Sequence, residues 1–164
     1  MSKIYGFASI DIPKSYDFIF SDVYNGLSVP VHFTTQEFFK LAKDKMTVDG
    51  IFMANLIGDL SGQEADFIFS EIKTFRSVFP NSYFFASDSV ENTGTQNIVF
   101  LGYNSERSID WQNLELSEED EKKFRPLLAR QIDLDKLDFS EALTFTDNYA
   151  PVEYLTAKVL KNIY

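Results

Sequence analysis

An α/β protein with a mostly parallel sheet, an antiparallel last strand and helices on both faces is what this sequence predicts, as one domain over residues 1–164. Three observations lead there. Between residues 16 and 103 the order of elements reads strand, helix, strand, helix, strand, strand. The first strand, "YDFIFSDV" (Tyr16 to Val23), is apolar on both faces, as suits an interior parallel strand covered by helices on each side. Only the polar loop "DSVENTGT" separates the last two strands, which makes them antiparallel neighbours.

Taken in order, the first strand ends at Asp22 and enters a loop of turn residues: Asn25, Gly26, Ser28 and Pro30. A helix is expected in "TTQEFFKLAKDKM", where Thr34 and Glu37 have capping-box spacing and Phe38, Leu41, Ala42 and Met46 share a face. "VDG" is expected to end it, with Gly50 in a turn, before a second buried strand, "GIFMANLIG". Ser61 and Glu64 repeat the capping-box spacing, and Ala65, Ile68, Phe69, Ile72, Phe75 and Phe79 keep a helical period up to Pro80. That stripe is core. Strands follow in "SYFFAS" and "QNIVFLGY". The run "SEEDEKK" reads as a solvated face, followed by a helix near Phe124 to Gln131, a turn at "TFTDNYAP" and a last helix from about Val152 to Ile163.

Composition narrows the function. A chain of 164 residues, 45% hydrophobic and 16% aromatic, can bury one sizeable core. A net charge of -10 argues against a nucleic-acid partner, which demands clustered Lys and Arg. The absence of Cys excludes disulfides, thiolate metal sites and Cys nucleophiles, and His32 as the sole His leaves no His cluster for a metal. No apolar run approaches the roughly 18 residues of a membrane span, and the N-terminus lacks a signal-peptide pattern, so a cytoplasmic location is expected.

Three ordered blocks, "YDFIFSDVYNG", "VPVHFTTQEFFKLAKDKMTVDGIFMANLIG" and "TDNYAPVEYL", resemble the C-terminal half of spermidine synthase-like proteins. These have the Rossmann-like fold of S-adenosylmethionine-dependent methyltransferases. The resemblance implies ligand binding outside the carboxyl ends of the strands, and an ancestral reaction that moves an aminopropyl group from decarboxylated S-adenosylmethionine to a diamine. It makes Asp22 the candidate catalytic residue, able to hold a cationic amine and accept its proton. Tyr24 and Asn25 become candidates for the acceptor pocket, with Asp147 and Tyr149 at the substrate mouth. Asn55 is the candidate donor-side contact, with decarboxylated S-adenosylmethionine or S-adenosylmethionine as co-substrate.

Two departures from the family pattern bear on activity. Asn25 stands where the aminopropyltransferases carry the acid assigned to amine deprotonation, and Asn is no base near neutral pH. The family's Gly-rich donor loop has no counterpart, since no G-x-G cluster occurs in the chain. The expectation is therefore of a protein inactive or incomplete alone. Its sheet edge at Tyr16 to Val23 would be covered by the N-terminal "KIYGFASI", which has β character, by a second copy in a homo-oligomer or by a Gly-rich partner chain, and a polyamine would be the candidate substrate. The competing readings are a non-catalytic interaction module that binds through that edge, and a methyltransferase completed by another chain.

Overall fold

In the computed structural model the strand and helix runs assemble around a single four-stranded sheet. Residues 16–23, 29–62, 65–111 and 113–160 are described, residues 158–160 by their backbone alone. The strands are β1 (Tyr16–Ser21), β2 (Met46–Gly58), β3 (Ser82–Ala86) and β4 (Gln96–Tyr103), in the spatial order β1-β2-β4-β3. β1 runs parallel to β2, while β4 is antiparallel to both β2 and β3. Three strands therefore point one way, and the last strand of the chain lies between two of them, reversed.

β2 is longer than its sequence suggests. Helix α1 (Gln36–Asp44) stops early, and "VDG" belongs to β2 instead of a turn. Three residues of β1, Tyr16 to Phe18, face the six from Met46 to Ile51, so the stretch that resembles a turn is absorbed as a bulge that keeps Gly50 buried. From Gly50 to Gly58, burial then alternates strictly.

The fully buried row carries Phe52, Ala54 and Leu56, and α1 and α2 (Asp66–Arg76) lie against it. Phe39 of α1 and Phe75 and Phe79 of α2 meet Phe52 with ring centroids 5.9, 5.8 and 5.7 Å apart. The expected stripe is confirmed at Ala65, Ile68, Ile72, Phe75 and Phe79, while the half-buried Phe69 packs on Phe139. On α1 the buried residues are Phe39 and Ala42, and Leu41, expected inward, is exposed.

Gly102 of β4 lies under these rings. A Cβ there would stand 2.6 Å from Phe79 Cγ and 2.8 Å from Phe75 Cζ, atoms of fully buried side chains. Gly102→Ala is expected to cost about 1–3 kcal/mol by overpacking, measured as a lower urea midpoint. The loop variant Gly94→Ala, whose nearest neighbour would be Asn92 Oδ1 at 3.4 Å, should stay within about 0.5 kcal/mol of the parent.

The opposite face of the sheet has the half-buried row Ile51, Met53 and Ile57 on β2. Phe18 and Phe20 of β1 are paired beside Ile51 and Met53 and are 52% and 55% exposed. At the far side of this face Trp111 caps Tyr83 and Phe85 edge-on. Helix α3 (Glu118–Leu128) buries none of its residues. It ends before Gln131, which pairs with Phe85, so residues 130–132 close the outer edge of β3. α4 (Val152–Leu160) packs on α2. Among the described residues no helix is long and apolar enough to cross a membrane.

Candidate functional site

Because β1, β2 and β3 are parallel, their carboxyl ends lie at one end of the sheet, and a carboxylate follows each of them. Asp22 comes directly after β1, Asp59 directly after β2, and Asp88 two residues after β3. The register Ser21↔Ala54 puts Asp22 level with Asn55. Asn55, the expected donor-side contact, lies inside β2, half-buried and paired with Val99, three residues short of the strand's end at Gly58. β2 thus overhangs the end of β1 by about 13 Å, at 3.3 Å for each of the residues 55–58.

Asp59 is the residue the sequence reading missed. It is only 7% exposed, and its Oδ1 is buried with no hydrogen-bond partner among the described residues. The signal was present, since "LIGD" ends a strand in a carboxylate just as "IFSD" does. Asp22 is exposed, and Tyr24 and Asn25 lie outside the described residues. Gln96, which opens β4 opposite Gly58, is buried, and its Oε1 accepts from the backbone N–H groups of Asp88 and Ser89.

The amino end of α1 opens on the same edge. A 3-10 turn over Val31–Phe33 delays the helix, so its cap is Thr35, whose Oγ1 accepts from Phe38 N–H at 3.3 Å. The expected capping box from Thr34 to Glu37 does not form, because Thr34 donates to Val31 O instead. Glu37 accepts from the backbone N–H of Asp147 at 3.0 Å, and Thr35 donates to Asp147 Oδ1 at 2.7 Å. Gln36 N–H donates to Phe145 O at 2.9 Å, completing a lock between α1 and the turn Thr146–Tyr149. Asp147 thus anchors the C-terminal turn at the edge, and Tyr149 beside it is 61% exposed. Exposed His32 packs on Phe33, with ring centroids 4.6 Å apart. The second expected cap also differs: α2 is capped by Ala65 without a side-chain bond, and Glu64 lies outside the described residues.

Among the described residues no group of three or more His, Cys, Asp or Glu is placed to hold a metal ion. Two grooves of about 460 and 440 Å³, beside Arg76 and Ser82 and beside Met46 and Asn104, lie at the amino ends of β3 and β2, away from this edge.

No family model matches the chain. Its fold is that of a solved structure, a probable spermidine synthase from Corynebacterium glutamicum ATCC 13032. The two share a TM-score of 0.62 and 24% identity, over 84% of this chain and 50% of that one. Among curated proteins, the N-terminal histidine N-methyltransferase of Emericella nidulans is 31% identical over 91 residues, 54% of this chain and 16% of its own length. The protein therefore has a spermidine synthase-like methyltransferase fold and spans half or less of each of these relatives.

Proposed function

We propose that this chain is the acceptor side of a transferase that alkylates an amine nitrogen, moving an aminopropyl group from decarboxylated S-adenosylmethionine to a diamine. The amine lone pair forms a bond to the carbon beside the sulfonium. The carbon–sulfur bond breaks with its electron pair going to sulfur, leaving a neutral thioether. Asp22 takes the proton the nitrogen sheds. Donor contacts beyond Asn55 come from a Gly-rich segment of the kind that has no counterpart here, so turnover requires that segment.

The observation that carries this reading is Asp59, a buried carboxylate at the strand ends whose Oδ1 lacks a donor among the described residues. A ligand ammonium is such a donor. Both relatives carry names that end on nitrogen chemistry, one a spermidine synthase and the other an N-methyltransferase.

Calorimetric titration with a diamine and with methylthioadenosine tests the reading. The diamine is expected to bind, and Asp22→Asn and Asp59→Asn should each weaken it roughly tenfold or more, the worth of a charged hydrogen bond. Diamine binding indifferent to both substitutions would sink it.

A second reading has its own observation. Phe18 and Phe20 are exposed, and β1 pairs only with β2 among the described residues, as on a surface that docks a second copy or a partner chain. Absent diamine binding together with self-association lost in Phe18→Ser would favour that interaction module.

A further inference from the structure

Glu71 stands in the middle of α2, fully buried, and neither carboxylate oxygen has a hydrogen-bond partner among the described residues. Helical spacing puts it on the same face as Phe67, Ser70 and Thr74. That face holds residues 142–145: Leu143 N–H donates to Ser70 Oγ at 3.0 Å, Phe145 N–H donates to Thr74 Oγ1 at 2.8 Å, and Phe145 stacks on Phe67. The same strap continues into Asp147 and its lock on Thr35 and Glu37.

We infer that Glu71 is a proton-operated latch, letting the 142–147 strap pack on α2 while neutral and loosening it, and with it the Asp147 lock at the strand ends, when ionised. An isolated carboxylate cannot stay buried without a partner, so ionisation must draw water in or move the cover away. The strap bonded to Ser70 and Thr74, before and after Glu71 on the helix, is held to α2 by a few bonds rather than by a sheet ladder.

Among the described residues no charged group on the packed elements bonds Glu71. On α2, Lys73 donates to Ala142 O. On the strap and the turn before it, Asp138 accepts from Ser140 N–H, Asp147 from Thr35, and Glu141 is exposed. On α1, Glu37 holds Asp147 N–H, Lys40 donates to Gln36 and Lys43 to Val78 O. Glu153 on α4 is exposed, and the β2 row beneath α2 is uncharged. Burial alone pushes the Glu71 carboxyl well above its ordinary value.

This inference stands apart from the transferase reading, and its test needs no ligand. Amide exchange, corrected for intrinsic rates, is followed between about pH 5 and about pH 9. Protection of Leu143 and Phe145 should fall roughly tenfold per pH unit until it is lost while β4 amides stay protected, and Glu71→Gln should abolish the fall. The same fall in Glu71→Gln, or strap amides that stay as protected as those of β4 at about pH 9, would overturn the latch. If Glu71→Gln does not fold, the infrared band of a protonated carboxyl in the parent protein decides: its loss in step with strap protection supports the latch, and its persistence overturns it.

Discussion

Phe75→Ala is expected to lose about 3–5 kcal/mol, enough to leave a domain of ordinary stability barely folded. Phe75 is fully buried and is the ring on which both layers meet. Its centroid lies 4.9 Å from Phe79, 5.0 Å from Phe39, 5.5 Å from Phe100, 5.8 Å from Phe52 and 6.0 Å from Phe84. Truncation removes contacts to α1, β2, β3 and β4 at once, and the surrounding rings, themselves fixed by one another, cannot collapse into the gap. Guanidinium unfolding measures the loss. Phe18→Ala, the same chemical change at a half-exposed edge position, should cost under about 1 kcal/mol, and equal losses at the two sites would refute this account of the core.

The second large effect belongs to Glu71 and depends on pH. Its carboxyl titrates near 4.5 in the unfolded chain and well above that when folded, because burial disfavours the charged form. Below 4.5 both states hold the proton, and stability is at its full value. Above it the unfolded chain ionises first while the native state keeps its proton, so unfolding releases a proton and stability falls as pH rises. The fall is about 1.4 kcal/mol for each pH unit until the native group also ionises. Glu71→Gln removes this contribution, so the variant should overtake the parent as pH rises. Urea unfolding at a series of pH values checks it: parallel curves for parent and variant would mean that Glu71 is already ionised or hydrated in the native protein.

Local pattern made much of this fold legible. The period of Ile68, Ile72, Phe75 and Phe79 located α2, and the short polar loop before Gln96 made β3 and β4 antiparallel. "VDG" misled because Asp-Gly favours turns, and only pairing with β1 turns it into a bulge. The start of α1 was read one residue early, since Thr34 and Thr35 are equally good caps and the choice rests on the preceding 3-10 turn. Strand order was not legible, because the place of β4 is decided by contacts distant in sequence. At the site, Asp22 was visible from its strand end, while Asn55 lies inside the strand and Asp59, which follows it, was passed over. Glu71 was hidden because a Glu in a helix normally faces water, and the strap bonded beside it on α2 comes from some seventy residues further along the chain.

The position of β4 also has a consequence for the order in which the protein is made. β2 and β3 never touch as strands; each pairs with β4, the last of the four to leave the ribosome. Until Gln96 to Tyr103 has emerged, β2 has an open side, and β3 has no strand to join. A nascent chain halted before residue 96 therefore holds a two-stranded ribbon with one side bare, a form open to chaperones and to wrong pairing. The next eight residues act as a keystone, joining both halves in one step.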